Sequence, residues 1–453
     1  MKKLAEEDIV ATLSGSDNVF IERDGAVRRI PKSQFISYDD EWYGVEWSTA
    51  VTSPACTRIG LASLHQSLPI HNGMYACVLN DAGTENYKLN PTNWALKLTG
   101  GASDLTGADG QVMIYIPAHY FKAEVEGVTR RLKLSQYALA GFTLVPAQYV
   151  SAYEAALNRS TSKLASVKNA TATYRGGDNN ATNDATDATL LGMPATSISR
   201  TNFRTYARAR GTGWEMYNYP VHNILTYLFV VEFATRNSQK AVNAALDGSG
   251  YKQGGLGDGV TNIDSSLWST WKAYNPFIAC GISNSLASGT GQVAYDMPAG
   301  YGATLTTYVN RYRGIELPFG HIWKNADGVN VRIGADSDAD PTSKVYVSES
   351  PADWNDANYT NYVLKGQIPR ANAYITEMIS GECVPVATGG GSTNYWADYF
   401  YASLPASGES LRTLLFGGYS AYGTYAGFGC SLSATDPSYT TATIGSRLCF
   451  IPA

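Results

Sequence analysis

The sequence predicts a β- and loop-rich protein with one well-marked helix and a binding surface towards its C-terminal end. Three observations carry this expectation. Of 453 residues only 16% are charged, against roughly 25% in ordinary globular proteins. The chain holds 44 Gly and 31 Tyr. Between Arg412 and Arg447 the one charged side chain is Asp436, in a stretch of Tyr, Ser, Thr, Ala and Gly. Tyrosine supplies rigid, amphipathic contact area at low entropic cost, and Ser and Gly supply adaptable hydrogen bonding, which is the composition of an antibody paratope.

The elements follow in order. Residues 1–37 read as a small separate β element. Val19 to Ile30 holds two strand-like runs about an Asp24-Gly25 turn, a strong hairpin signal, and Pro31 ends it. A hairpin is marginal alone, so this one is expected to attach the chain to something or to help it oligomerise. Residues 38–453 read as one domain without a clean linker. Strands are expected over 111–121 and 141–146, and a short helix over 149–157. The stretch 168–190 is rich in Asn, Thr, Ala and Asp without periodicity, so it is a polar insertion.

Residues 219–236 give the clearest helix. Pro220 suits its first turn. Val221, Ile224, Leu225, Leu228 and Val231 form an apolar stripe at helical spacing. Glu232 and Arg236 are placed to pair at i, i+4. Gly-rich loops are expected over 245–260 and 281–303, and a turn and strand over 314–323. A strand running into a glycine pair is expected over 411–418, and a final strand over 444–453.

Composition and motifs also exclude functions. The formal net charge is −5 and the 34 Lys and Arg are dispersed, which leaves no electrostatic footprint for nucleic acid. Cys56, Cys77, Cys280, Cys383, Cys430 and Cys449 have no CxxC or zinc spacing and read as buried thiols. Asp327, Asp336, Asp338 and Asp340 could offer oxygen ligands but lack EF-hand spacing, and neither a metal nor a cofactor is expected. No apolar run is long enough for a transmembrane helix, and MKKLAEEDIVATL lacks the apolar core of a signal peptide. His65, His71, His119, His222 and His321 are scattered, and neither GxSxG nor HExxH occurs, so no enzyme is expected. Trp214, Trp323 and Trp396 read as scaffold, and Arg204, Arg208 and Arg210 as partners of carboxylates such as Glu215 or Glu316.

Four segments, in this order, resemble one family: FRTYARARGTGWEMYNYPVHNILTYLFVVEFATRNSQ (203–239), RGIELPFGHIWKNADGVNV (313–331), LRTLLFGG (411–418) and IGSRLCFIP (444–452). They are similar to the C-type-lectin-fold domain shared by formylglycine-generating enzymes and by the variable proteins of diversity-generating retroelements. The nearest likeness is to phage tail-tip receptor-binding proteins of the major-tropism-determinant type. The resemblance implies an α+β C-type lectin fold with long loop insertions. It implies a homotrimer at the phage tail tip, with a host cell-surface protein or glycan and other tail proteins as partners. It places variable residues between the glycine pair and the last strand, here 419–443. Two alternatives share the fold: a bacterial surface adhesin and a carbohydrate-binding module. An oxidase of the formylglycine-generating type is disfavoured, because its two late cysteines lie close in sequence, whereas Cys430 and Cys449 do not.

Such retroelements mutate adenines, mostly in Asn codons ending in T or C. Randomising the first two bases never yields Lys, Glu, Gln, Met or Trp, and the window 419–443 contains none of these. Tyr419, Tyr422, Tyr425 and Tyr439 are the leading candidate ligand contacts. Ser420, Thr424, Ser431, Leu432, Asp436 and Thr441 follow, with Cys430 in the same window and Tyr395 alongside. Gly417, Gly418, Gly427, Gly445 and Arg447 are the expected fixed scaffold.

Overall fold

A computed structural model describes residues 18–23, 26–31, 40–168, 172–174, 192–261, 263, 277–297 and 305–452. The Asp24-Gly25 turn and most of the 168–190 insertion lie outside the described residues. The protein is built mostly of β-sheets around one long helix. Asn18–Arg23 and Ala26–Pro31 pair antiparallel, with Val19 opposite Ile30, as a sheet of their own.

The helix is Tyr219–Phe233. Asn218 caps it, its side chain accepting the Val221 N–H at 3.0 Å, and Pro220 occupies the first turn. It ends where Ala234 turns left-handed, φ 49°. The expected single stripe is too narrow a description. Nearly every residue of the helix is buried, Pro220 and Asn223 excepted, and a helix apolar all round must be enclosed by other elements.

One enclosing layer is a five-stranded antiparallel sheet. Its strands lie in the order Thr143–Val145, His119–Glu126, Thr129–Ser135, Trp42–Ser48 and Thr57–Gly60. Phe121 from this sheet stacks on Tyr227 of the helix at 4.2 Å. The opposite layer is a seven-stranded mixed sheet, called here the face sheet. Its order is Pro385–Thr388, Ala373–Met378, Tyr399–Tyr401, Gly427–Leu432, Leu415–Gly417, Trp323–Asn325 and Ile444–Gly445. Phe416 stacks on His222 at 3.9 Å, and Phe428 packs on Phe229 at 5.4 Å.

Several local expectations are corrected. The expected strand over 111–121 is two strands in two sheets, Gln111–Ile116 and His119–Glu126, because Pro117 cannot donate to a ladder and the chain changes sheet there. No helix forms over 149–157. Gln148–Ser151 pairs with both Gln111–Ile116 and Leu448–Phe450, and Ala156–Asn158 pairs with Lys163–Ala165. The buried neighbours on both sides override a weak helical preference. The 281–303 loop contains a 3-10 turn, Ile282–Leu286, and a strand, Gly291–Asp296. The terminal strand is split: Ile444–Gly445 belongs to the face sheet and Leu448–Phe450 to a second seven-stranded sheet, with buried Arg447 at the crossing.

Ion pairs stitch these layers together. Glu232 does not pair with Arg236. It takes a two-pronged bond from Arg313, Nε to Oε2 and Nη2 to Oε1, both at 2.7 Å. Arg313 reaches it because a tight turn carries Tyr312 back to Ile315. Arg204 pairs with Asp327 and Asp356, Arg208 with Glu215 and Arg210 with Asp81. Glu316 instead faces Arg311 and accepts the Gly281 and Ser283 N–H groups. Asp336 pairs with Arg370, Asp338 with Arg332, and Asp340 with Arg332 and Lys344.

Burial pushes the Glu232 carboxyl upward, but Arg313 outweighs it and holds the pKa at about 2. A depressed carboxylate contributes stability above its ordinary value of 4.5, and that contribution is lost as pH falls towards about 2. Arg313→Met should therefore cost about 3–5 kcal/mol at neutral pH by leaving a buried charge unpaired. Denaturant unfolding should show this penalty shrinking on acidification through that window.

Candidate ligand-binding face

The face sheet has a back and a front. On Tyr399–Tyr401 the side chains alternate, so Phe400 enters the core behind while Tyr399 and Tyr401 stand in front. Tyr374 lies directly opposite Tyr399 on the antiparallel neighbour, and Leu432 opposite Tyr401 on the parallel one. Paired residues share a face, so the sheet supplies a front row of Tyr374, Tyr399, Tyr401 and Leu432.

The segment after the glycine pair folds over this row. Gly417 and Gly418 both take positive φ, 92° and 72°, which L-residues with a Cβ rarely adopt. Three successive turns follow. The Tyr422 N–H donates to the Tyr419 carbonyl and the Tyr425 N–H to the Tyr422 carbonyl, both at 2.9 Å, and the Ala426 N–H reaches Gly423 O at 3.3 Å. Bonds from i to i+3 align side chains three residues apart, so Tyr419, Tyr422 and Tyr425 point the same way. The Gln239 amide clamps the loop by donating to the carbonyls of Gly423, at 3.0 Å, and Ala426.

Rings from strands and loop then form one connected group. Tyr399 meets Tyr425 at 4.4 Å, Tyr419 meets Tyr422 at 4.5 Å, and Tyr401 meets Tyr399 at 4.7 Å and Tyr422 at 4.8 Å. Tyr374 meets Tyr399 at 5.0 Å and Tyr425 at 5.3 Å. The Tyr374 and Thr424 hydroxyls share a hydrogen bond of 2.8 Å. Tyr425 is 37% exposed. Trp323, Leu415, Cys430 and Ile444 form a small apolar core, against which Tyr401, Tyr419, Tyr422 and Leu432 pack from above.

The group carries no charge. Burial pushes the phenols of Tyr399, Tyr401, Tyr419 and Tyr422 above their ordinary pKa; neighbouring phenols add to this for Tyr399 and Tyr401, while for Tyr422 the Cys430 thiol and Tyr419 add to it and hydrogen bonds with Tyr401 and Trp323 oppose it. Beneath them Asp398 is wholly buried. Burial raises its pKa well above the usual carboxylate range, against one Gly429 N–H donated to Oδ2 at 2.7 Å, and Oδ1 has no hydrogen-bond partner among the described residues. A Cβ at Gly427 would lie 1.9 Å from Asp398 Oδ1, so this glycine is required for space.

Sequence candidates divide by position. Tyr419, Tyr422, Thr424, Tyr425 and Leu432 are brought together. Ser420, Cys430 and Ser431 are buried beneath the face, which corrects their expectation as surface contacts. The backbone of Ser420 serves instead as a strut, its N–H donating to His321 O at 3.1 Å and its carbonyl accepting from Ile263 at 2.8 Å. Asp436, Tyr439 and Thr441 lie on a separate loop. Asp436 caps Ser438 at 2.9 Å, Pro437 O accepts the Arg200 N–H at 3.1 Å, and Thr441 O accepts the Ser197 N–H at 3.1 Å. Tyr439 is 48% exposed and outside the ring group. Tyr395 is also outside it, tied through its N–H to Thr52 O at 2.6 Å.

Of the expected scaffold, Gly445 sits where a Cβ would lie 2.4 Å from Ile322 Cδ1. Buried Arg447 donates to the carbonyls of Ser151 at 3.2 Å, Leu317 at 2.7 Å and Glu316. Trp214, Trp323 and Trp396 are buried. Tyr374 is not among the sequence candidates, and Tyr399 and Tyr401 stand in the aromatic stretch beside Tyr395 without being assigned as ligand contacts. The Tyr-Phe-Tyr alternation of 399–401 is the signal that could have found the latter two.

The six cysteines are free thiols. Burial pushes Cys430 and Cys449 up, the reverse of a reactive thiolate.

Among solved structures the chain is similar to the Major Tropism Determinant U1 Variant and M1 Variant. Each match has 14% identity and a TM-score of 0.27, covering 83% of this chain and 71% of the other. The P3c Variant matches over the same shares, with a TM-score of 0.26. No family model matches the sequence. No curated protein matches it either.

Asp398 gives a pH test. A carboxyl with a raised folded pKa contributes stability below its ordinary value of 3.8 and loses it as pH rises. Relative to Asp398→Asn, the wild type should lose stability above about pH 4, at up to about 1.4 kcal/mol per pH unit. Thermal unfolding of both proteins across pH 4–7 would read this, and parallel curves would show Asp398 ionised in the fold.

Proposed function

We propose that this chain is a phage tail-fibre receptor-binding protein, a binder and not an enzyme. Its C-type-lectin-fold domain uses a retroelement-diversified C-terminal face to hold a host bacterial surface protein or glycan. The reading includes a homotrimer on the virion tail tip, with residues 1–37 serving attachment or trimerisation. The observation that carries it is the connected, uncharged group of Tyr374, Tyr399, Tyr401, Tyr419, Tyr422 and Tyr425 on a glycine-defined loop. Such a surface offers apolar area and hydroxyl bonds together, which suits recognition of many different partners. The four ordered sequence segments point the same way.

Contact and support are separable within the face. Tyr399 and Tyr425 contribute to the outer rings, whereas Tyr422 covers Trp323 at 5.3 Å. Replacing Tyr399 and Tyr425 together by Ala should abolish retention on host cells while shifting the unfolding midpoint little. Tyr422→Ala should also lower stability, by about 2–4 kcal/mol for a half-buried ring over a small core. Unaltered cell retention in the Tyr399/Tyr425 variant would place the binding face elsewhere. A reverse-transcriptase gene and a near-copy of the 3′ coding end should lie beside the gene, and their absence would remove the diversification part of the reading.

Because the face is uncharged, host binding should change little between about 0.05 and 0.5 M salt, a range over which screening suppresses surface charge attraction. Adsorption measured at both salt levels checks this. A drop of tenfold or more at high salt would show that charged groups elsewhere carry the attachment.

A further inference from the structure

The enclosure of the central helix has an opening near its first turn. Pro220 and Asn223 are the two helix residues that escape burial, and both line a pocket of about 350 Å³. The opening lies where the five-stranded sheet stops. Its edge strand Thr143–Val145 is three residues long and is followed by Pro146, which has no N–H to extend a ladder. Leu144, Val145, Pro146, Ile224 and Ile451 give the pocket aliphatic walls.

Gln148 lines the same pocket and is 7% exposed. It lies opposite Ile116 on the neighbouring strand and two residues before Val150. Strand alternation therefore turns it inward with Ile116 and Val150, which belong to the core around the helix. Its side-chain amide has no hydrogen-bond partner among the described residues, and neither amide atom is sealed from solvent. Asn310, whose amide also lacks partners, is by contrast sealed in the core. The Gln148 amide thus opens on the pocket. Asn223 spends its Nδ2 on Gly381 O at 2.9 Å, which leaves its Oδ1 to accept.

Group chemistry narrows what fits there. A primary amide is both donor and acceptor, so its complement must be both. A carboxylate accepts only; moreover Glu349 and Glu382 line the pocket and no lysine or arginine does. Glu382 is itself held by Lys365 and by the Tyr219 hydroxyl. An ammonium donates only and would leave the Gln148 N–H groups unanswered. A hydroxyl offers both roles from one atom, whereas an amide meets the Gln148 oxygen and nitrogen together with two parallel bonds. A pocket with mostly apolar walls and a few polar groups suits a ligand with an apolar body and one such group.

We propose that this pocket binds a neutral amide on an aliphatic body, the chemistry of an apolar peptide residue, with the amide paired to Gln148. The site shares no residue with the tyrosine group and does not rest on the function proposed for it. Ligand-observed NMR titration of the full chain with 3-cyclohexylpropanamide, 3-cyclohexylpropanoate, 3-cyclohexylpropylamine and N-acetyl-D-glucosamine tests it. The propanamide should bind, and the acid and the amine should bind at least about tenfold more weakly, as expected where a buried hydrogen-bonding group is left unpaired. The sugar carries an amide without an aliphatic body and should be weaker by a similar factor. Gln148→Met keeps the length of the side chain and removes its amide. The propanamide should then lose its advantage over the acid and the amine, while the ligand-free unfolding midpoint does not fall. Ala147→Phe fills the pocket from its wall and should abolish propanamide binding, which locates the site even if the Met variant does not fold. No binding of the propanamide, equal binding of the acid, the amine or the sugar, an unchanged preference in the Met variant, or full binding by the Phe variant would each overturn the proposal.

Discussion

The buried helix Tyr219–Phe233 is the constraint on which the other layers depend. Its apolar residues require enclosure on all sides, but its polar groups decide where the enclosing layers stop. Tyr219 donates to Glu382 Oε2 at 2.6 Å, and Asn223 donates to Gly381 O at 2.9 Å. His222 Nε2 meets Phe428 O at 3.0 Å, with burial holding its pKa down at about 3. Glu232 meets Arg313. Three of these four partners belong to the face sheet or to the turn joining two of its strands. Sliding that sheet by one residue would leave buried polar groups unpaired, at about 1–3 kcal/mol each. The back of the face sheet is therefore set in register by hydrogen bonds as well as by the Phe416 and Phe428 rings.

A fixed back permits a changeable front. Strand alternation separates the two completely: Phe400 serves the core and Tyr399 and Tyr401 serve the surface. The front also lacks charge, because its phenols are pushed up, and burial raises the Asp398 carboxyl below them in the same sense. Recognition by such a face works through shape, ring contact and hydroxyl bonding. Long-range steering, which depends on opposed surface charge, has nothing to act on there.

Much of this was legible in the sequence, for stated reasons. The helix was visible because Pro220 and the spacing from Val221 to Val231 are local signals. The glycine pair was visible because Gly417 and Gly418 interrupt a strand pattern, and positive φ at both explains them. The tyrosines at 419, 422 and 425 were visible by composition, though not their common direction, which follows from turns. What stayed hidden depends on distant partners. Arg313 is 81 residues from Glu232, so the nearer Arg236 took its place in the sequence reading. The strand Gln148–Ser151 is decided by Leu448–Phe450 from the far end of the chain. Tyr374 joins the face only because Ala373–Met378 pairs with Tyr399–Tyr401. Ser420, Cys430 and Ser431 share the composition of their exposed neighbours, and burial alone separates them.

That last distinction limits what the proposed diversification of the window 419–443 could do. The window is one segment in sequence but three environments in space. Ser420, Cys430 and Ser431 have no exposed surface to offer, and packing at such positions tolerates little change in volume. Tyr419, Tyr422 and Leu432 are half-buried over the Trp323 core, so a replacement there alters both the surface and its support. Thr424, Tyr425, Ser438, Tyr439 and Thr440 are exposed, and substitution at these positions changes contact chemistry at little structural cost. A mutating system acting blindly on the whole window would therefore yield functional variants mainly through two patches: the tip of the 423–425 turn and the 438–440 loop. The sheet rings Tyr374, Tyr399 and Tyr401 lie outside the window, so under the proposed diversification the first patch would vary against a constant aromatic floor. On the proposed reading, ligand choice would be a matter of which side chains are added to that floor, not of rebuilding it.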